Sequence, residues 1–99
     1  MITGTTPVHT FNLLVDMSLV KEIKIIYHQL GSKVLEKYTK DCIIEGTTVK
    51  VPLTQEETFL FKEKVVTIVI RILTKSGDAL VSKPITIDVT SCLDDEVLK

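Results

Sequence analysis

The stretch Val65-Val66-Thr67-Ile68-Val69-Ile70-Arg71-Ile72-Leu73 decides the fold class of this 99-residue chain. Successive side chains of a β-strand point to opposite faces, so every second residue shares a face. One face of this stretch consists only of branched apolar side chains: Val66, Ile68, Ile70 and Ile72. Because the other face is also mostly apolar, the pattern is typical of a central strand. We predict a strand here whose first face is buried in the core.

The second face of this stretch is the candidate interface of the protein. The residues on it that we single out are Val65, Val69, Arg71 and Leu73. Because the first face is buried in the core, this apolar row on the second face remains exposed to water unless another element or chain packs on it. An exposed apolar patch often marks contact with a partner chain. Arg71 either pairs with a carboxylate inside such an interface or lies on the outer face of the sheet. A short helix beginning at Gln55 is the alternative cover within one chain.

Alternating or short apolar segments elsewhere predict further strands. Glu22–His28 places Ile23, Ile25 and Tyr27 on one face. The other predicted strands are Thr6–Leu13, Val34–Tyr38, Cys42–Ile44, Thr48–Leu53, Ala79–Ser82 and Ile85–Val89. Turn residues, among them Gly31-Ser32, separate them at intervals of about eight to twelve residues. This spacing predicts an all-β antiparallel sandwich, with a small barrel as the second possibility.

Two prolines interrupt the predicted strands. Pro52 either places the strand over residues 48–53 at an edge of its sheet or marks where that strand ends, because proline has no N–H to donate. Lys83-Pro84 separates the last two strands, either as a kink or as a switch from one sheet to the other.

One or two short helical turns complete the predicted fold. Asp16–Leu19 has the pattern of a single turn capped by Asp16. Thr54-Gln55-Glu56-Glu57 is a capping box, in which the first and last side chains satisfy free N–H groups. It predicts a short helix over Gln55–Phe61, whose apolar end Phe59-Leu60-Phe61 plugs one end of the core.

The composition indicates one folded domain over residues 1–99. Hydrophobic residues make up 44% and charged residues 25%, which is close to the globular average. The 12 basic and 13 acidic residues give a net charge of −1, so no strong field attracts nucleic acid or an anionic membrane. No apolar run is long enough to span a bilayer. We therefore expect no nucleic-acid and no membrane partner.

The titratable residues form no catalytic or metal-binding pattern. His9 and His28 lie on predicted strands, but without a third ligand they are more typical of surface or partly buried histidines than of a metal site. Glu56 and Glu57 are adjacent, so they do not face each other on a helix and fit the helix N-terminus better than acid–base chemistry. We expect no enzyme activity, no cofactor and no metal.

Lysines are concentrated in the first half of the chain and could in principle hold an acidic ligand. These lysines are Lys21, Lys24, Lys33, Lys37 and Lys40. They alternate with Glu22, Glu36 and Asp41, so the pattern favours a solvated strand face over an anion site.

The cysteines and the chain ends bear on the compartment of the protein. Met1–Phe11 lacks the basic and apolar regions of a secretory signal, so we expect no export signal. Cys42 and Cys92 are then expected to be buried, reduced thiols rather than a disulfide. The acidic segment Ser91–Lys99 is expected either to fray as a flexible tail or to dock.

Several stretches resemble small phage and prophage proteins of Gram-positive bacteria. They cover nearly the whole chain: Thr3–Phe11, Leu53–Thr58, Val66–Leu73, the turn at Gly77, Ala79–Ser82, Ile85–Val89 and Leu93–Val97. The pattern is similar to the immunoglobulin-like N-terminal domain of phage baseplate upper proteins, which anchors receptor-binding machinery to the tail. The resemblance implies an immunoglobulin-like antiparallel β-sandwich of about seven strands, and it brings no catalytic residues.

We therefore expect a non-enzymatic phage or prophage structural or assembly protein of the tail or baseplate type. It would dock to other phage structural proteins, or to copies of itself as a homo-oligomer, in the cytoplasm during assembly and then in the virion. The alternative is a carbohydrate-binding or adhesin-like β-sandwich module. Sugar sites stack the ring on exposed aromatic side chains, and two Tyr, three Phe and no Trp supply little material for such a platform.

Overall fold

Eight strands form two antiparallel sheets in the computed structural model, which describes residues 1–99. The strands are β1 (Val8–Asn12), β2 (Val20–Gln29), β3 (Ser32–Tyr38), β4 (Ile43–Glu45), β5 (Thr48–Pro52), β6 (Val65–Thr74), β7 (Ala79–Val81) and β8 (Ile85–Asp88). A three-stranded sheet has the order β1-β5-β4, and a five-stranded sheet has the order β3-β2-β6-β7, with β8 also paired to β6. The two sheets enclose one core, so the predicted all-β sandwich is confirmed.

The strand order is that of an immunoglobulin-like sandwich. In such a fold strands B, E and D lie in one sheet and C, F and G in the other, and some members add a strand C′ beside C. If β1 is strand B, then β1-β5-β4 corresponds to B-E-D and β3-β2-β6-β7 corresponds to C′-C-F-G. No strand precedes β1, and the residues before it form only a parallel bridge between Ile2 and Thr90.

β7 and β8 lie end to end along the same edge of β6. β7 pairs with Arg71–Leu73, and β8 pairs with Val65–Ile68. Between them, the Ser82 hydroxyl accepts a hydrogen bond from the Ile70 N–H at 2.9 Å, and the Ser82 N–H donates to the Ile70 carbonyl at 2.8 Å. Lys83-Pro84 therefore kinks one edge strand and does not switch it to the other sheet.

The core is built from alternate residues of both sheets. The five-stranded sheet contributes Ile23, Ile25, Tyr27, Val66, Ile68, Ile70 and Ile72, and the three-stranded sheet contributes Phe11, Val49 and Val51. The four residues predicted to be buried on β6 are at most 8% exposed. The inner face predicted from the alternation is therefore confirmed.

Pro52 ends a central strand. β5 pairs with β1 on one side and with β4 on the other, so the alternative that placed it at an edge is wrong. Pro52 lies opposite Val8, next to the hydrogen bond that the Leu53 N–H donates to the Pro7 carbonyl at 2.9 Å. Because hydrogen-bonded pairs alternate along an antiparallel ladder, the backbone nitrogen of Pro52 points away from β1. On the other side, β4 pairs only with Thr48–Lys50 and does not extend to Pro52. The missing N–H of Pro52 therefore costs neither neighbouring strand a hydrogen bond.

The helix α1 (Gln55–Thr58) is a single turn that begins at the predicted capping box. The Thr54 hydroxyl accepts from the Glu57 N–H at 3.1 Å, and the Glu57 carboxylate accepts from the Thr54 N–H at 2.9 Å. The helix ends at Thr58 and not at Phe61, because the N–H groups of Leu60 and Phe61 bond back only three positions. This tighter turn buries Phe61 but leaves Leu60 53% exposed, so the predicted three-residue plug is wrong for Leu60.

Shorter turns account for the other helical residues. Met17–Leu19 forms the predicted turn, and the Asp16 carboxylate caps it by accepting from the Ser18 N–H at 2.9 Å. A second turn over Thr39–Asp41 was not predicted. The β2–β3 hairpin turns at Leu30-Gly31, one residue earlier than expected, with φ of 54° and 79° as in a two-residue turn of type I′.

The acidic tail docks against the start of the chain. The Thr3 N–H donates to the Thr90 carbonyl at 3.0 Å, and the Thr3 hydroxyl accepts from the Cys92 N–H at 3.1 Å. The Gln55 side chain exchanges two hydrogen bonds of 2.9 Å with the backbone of Leu98. The C-terminal segment is therefore hydrogen-bonded to Thr3 at Cys92 and to Gln55 at Leu98.

Replacing Ile70 by Asp should strongly destabilise the protein, because Ile70 is fully buried and a carboxylate there would have no partner. We expect the free energy of unfolding to fall by at least about 3 kcal/mol, which is a large part of a typical domain stability. The control is Val81→Asp, at a position 64% exposed on the neighbouring strand. Urea denaturation followed by circular dichroism measures both, and similar midpoints for the two variants would contradict the assigned inner face.

Candidate docking surface

The four predicted interface residues lie together on the outer face of the five-stranded sheet. Val65 is 52% exposed and Arg71 is exposed, whereas Val69 and Leu73 are half-buried. Their burial comes from neighbours within the sheet: β2 places Ile26 beside Val69, Lys24 beside Arg71 and Glu22 beside Leu73. The row is therefore apolar at its centre and charged around Arg71.

The helix α1 does not cover this face. Glu57 of α1 forms an ion pair with Lys37, with 2.6 Å between Nζ and Oε2. Lys37 is the register partner of the core residue Ile25, and register partners in an antiparallel sheet share a face. α1 therefore lies on the inner side of the sheet, and the predicted alternative of a helix covering the row within one chain is wrong.

A shallow groove of about 390 Å³ crosses the outer face at Arg71. We define the outer groove by its lining residues: Glu22, Lys24, Tyr38, Arg71, Ile72, Leu73, Ala79, Leu80 and Val81. Six of these nine are hydrophobic, and all three residues of β7 are exposed. Sequence reasoning found Arg71 and Leu73 but missed the others. The hairpin at residues 75–78 was a usable signal, because it fixes β7 beside the end of β6.

The charges in the groove are only partly compensated. Lys24 Nζ lies 3.7 Å from a carboxylate oxygen of Glu36 and 5.7 Å from the centre of the Tyr38 ring. The Tyr38 hydroxyl donates to Glu36 at 2.7 Å, and this hydrogen bond is the main cause that lowers the pKa of Glu36. Arg71 has no carboxylate oxygen within 4.0 Å. Arg71 therefore lies on the outer face without an ion-pair partner within the chain.

The aromatic side chains give little support to a sugar-binding platform. Phe11, Tyr27 and Phe61 are buried in the core, and Phe59 is half-buried. Tyr38 is the remaining aromatic, and the ammonium group of Lys24 lies over its ring. Tyr38, 38% exposed, is therefore the one exposed Phe or Tyr ring, and a cation lies over it.

A second group of titratable residues lies inside the sandwich and joins its layers. His9 Nδ1 on β1 is 2.7 Å from the Tyr27 hydroxyl on β2, so this hydrogen bond links the two sheets. Burial lowers the pKa of His9, with a smaller effect from the positive N-terminus, and burial also raises the pKa of Tyr27. His28 faces outward beside Thr67, so the two histidines do not meet.

The Lys37–Glu57 pair is the other polar element of the interior. Lys37 was expected on a solvated strand face, but it is 9% exposed and points inward from the edge strand β3. Partial burial alone would raise the pKa of Glu57, but the hydrogen bonds from Lys37 and from the Thr54 N–H outweigh it and lower that pKa. No buried side-chain nitrogen or oxygen lacks a hydrogen-bond partner, so these groups serve the fold.

The two cysteines are less buried than predicted. Cys42 is half-buried and Cys92 is exposed, so the expectation of two buried residues is wrong, although both are free thiols. Burial raises the pKa of the Cys42 thiol, with a further contribution from Asp41, and a raised pKa makes it a poor nucleophile. Nowhere do three or more His, Cys, Asp or Glu side chains gather in a way that could hold a metal ion.

A larger hollow of about 670 Å³ lies between the segment that follows α1, residues 59–63, and the C-terminal segment, residues 91–95. Its charged lining residues are Lys62, Glu63, Asp94 and Asp95, so the two signs are mixed. No buried polar side-chain atom there lacks a hydrogen-bond partner, so no feature of this hollow indicates a ligand. The outer groove is the better candidate for a functional surface.

The internal ion pair should contribute more to stability than its neighbour on the same strand. Lys37→Ala leaves the Glu57 carboxylate, whose side chain is 22% exposed, without its cation, and we expect a loss of about 1–3 kcal/mol. Lys33→Ala is the matched control, because Lys33 is 58% exposed and pairs with Glu36 at 3.4 Å, and it should cost less than about 1 kcal/mol. Chemical denaturation at neutral pH compares the two; an equal loss would show that burial of the Lys37 pair adds nothing.

Stability should decline with acid because of His9. Its pKa in the folded protein lies below the ordinary 6.5, so between these two values the unfolded chain binds a proton that the folded protein does not. The free energy of unfolding therefore falls as the pH is lowered through 6.5 and levels off below the pKa of the folded state. Denaturation at about pH 7.5 and about pH 5.5 should show this decline in the parent and much less of it in His9→Gln. Parallel profiles would exclude His9 as the cause.

Comparisons with known proteins identify no relative: no protein-family model, no curated protein and no solved structure matches this chain. None of its helices is long and apolar enough to cross a membrane.

Proposed function

We propose that this chain is a non-enzymatic structural or assembly protein of a phage or prophage, of the tail or baseplate type. It acts by docking through the outer groove to other phage structural proteins. The observation that carries the docking role is Arg71, an unpaired cation beside exposed apolar residues on a face that no element of the chain covers. The assignment to a phage rests on the sequence resemblance to the baseplate upper proteins.

The groove has the composition of a protein-binding surface. Interfaces are enriched in Arg and Tyr, and they combine an apolar centre with a polar rim. Here Leu73, Ala79 and Val81 supply the apolar centre. Tyr38 and Arg71 supply two of the three residue types that are enriched at binding hot spots, the third being Trp. A partner seated on this groove would bury apolar side chains and give Arg71 a carboxylate.

The interior polar residues support a non-enzymatic role. The side chains of His9, Tyr27, Lys37 and Glu57 are all partly or fully withdrawn from water. Each is hydrogen-bonded or ion-paired to another residue of the fold. Neither of the two hollows described above is lined by His9, Tyr27, Lys37 or Glu57. We propose that assembly takes place in the cytoplasm and that the protein then remains in the particle.

The test is incorporation of tagged protein into phage particles from an induced culture of the source strain. Val81→Lys places an ammonium group in the apolar part of the groove. Val8→Lys is the matched control, because Val8 is also a strand valine, 53% exposed against 64% for Val81, but lies on the three-stranded sheet. Mass spectrometry of purified particles measures the amount of each.

We expect parent and Val8→Lys in the particles, and at least about a tenfold reduction for Val81→Lys, which corresponds to about 1.4 kcal/mol of binding free energy. Circular dichroism confirms that both variants are folded. Absence of the parent from the particles would overturn the phage assignment. Equal incorporation of the two variants would remove the outer groove from the docking role.

A further inference from the structure

We propose that the outer groove is the contact between two copies of this chain, related by a two-fold axis, with Arg71 of each copy paired to Glu22 of the other. This inference rests on the proposed function only in placing a docking surface at the groove. It names the occupant of that surface as a second copy of the chain.

Two opposite charges on the groove lack partners. Glu22 on β2 is beside Leu73, and Lys24 is beside Arg71, so Glu22 and Arg71 are diagonal neighbours on one face. Neither of them takes part in the three ion pairs of the protein. Lys24 is compensated by Glu36. The groove therefore presents one free cation and one free anion at opposite corners.

A second copy fits this charge pattern better than an acidic or a basic partner. In a two-fold interface, contact of Arg71 with Glu22 of the second copy requires the reciprocal contact as well, so both free charges are satisfied together. An acidic partner would match Arg71 but would be repelled by Glu22 and Glu36. A basic partner would match Glu22 but would be repelled by Arg71 and Lys24.

Apolar residues of the groove lie close to the proposed two-fold axis, where the two copies would contact each other. Leu73 is beside Glu22, and Lys24 is beside Arg71, so an axis that exchanges the two free charges between copies passes between Leu73 and Lys24. The Lys24 ammonium near the axis is already paired with Glu36. Ala79 and Val81 flank Leu73 and Arg71 on β7 and would be buried with it. The molecule measures 46 × 29 × 16 Å, so its broad face is larger than the roughly 800 Å² per partner of a standard interface.

The experiment is a charge exchange between copies, read out by sedimentation equilibrium. Arg71→Glu brings two carboxylates together at each contact, and Glu22→Arg brings two guanidinium groups together. Each variant alone should therefore dissociate, with Kd raised at least about tenfold. In an equimolar mixture one contact joins the two introduced residues and the other joins the native pair. The mixture should therefore form dimers again, which an ion pair within one chain would not produce.

Lys50→Glu is the control, since it reverses a charge on the three-stranded sheet and should leave the parent mass unchanged. Circular dichroism checks that each variant is folded. The proposal is overturned by a parent that stays monomeric up to about 1 mM, where the association free energy would be weaker than about −4 kcal/mol. It is equally overturned by single variants that remain dimeric or by a mixture that remains monomeric.

The two experiments distinguish failure of the proposed phage role from failure of the proposed dimer. A monomeric parent whose incorporation into particles still depends on Val81 would refute self-association and keep the docking role. A dimer with the reciprocal charge dependence that never enters particles would refute the phage role and keep the dimer.

Discussion

Burial of the inner face of β6 is the constraint on which the other features depend. Ile70 has no exposed surface, and the side chains of a strand alternate, so its neighbours Val69 and Arg71 must face outward. β6 is paired on both sides along nearly its whole length, and it cannot slip by one residue without exposing four core side chains. The outer face is therefore fixed by the packing of the core, and its apolar centre is a consequence of a strand that is hydrophobic on both faces.

Both edges of the five-stranded sheet carry features that oppose pairing with another strand. Lys37 points inward from the edge strand β3, and inward-pointing charges are one way in which proteins prevent edge-to-edge pairing. Its pairing with Glu57 satisfies that charge while tying β3 to α1. On the opposite edge, Pro84 and the kink between β7 and β8 interrupt the ladder. Addition of a partner strand at either of these edges is therefore less favourable than docking on the outer groove.

Local patterns in the sequence were sufficient for the sandwich, for the inner face of β6 and for the capping box at Thr54. They were insufficient where the result depends on contacts distant in sequence. Lys37 resembles any lysine of a solvated strand until Glu57, twenty residues later, is known to lie beside it. Pro52 cannot be placed without knowing that β4 stops short of it. Of the candidate site, Arg71 and Leu73 were found from β6 alone, whereas Lys24 and Val81 required the register of the neighbouring strands.

Lys24 and Arg71 lie directly opposite each other on neighbouring strands, and this position of two cations lowers the stability of the isolated chain. Like charges directly opposite each other on one face of a sheet are destabilising. Glu36 forms an ion pair with Lys24 but not with Arg71, so the positive charge of Arg71 has no carboxylate beside it. Proteins depart from locally favourable choices mainly at functional sites, where a partner supplies the missing interaction. A carboxylate contributed from outside would therefore relieve the repulsion at the moment of docking, which couples the stability of the central strand pair to occupation of the groove.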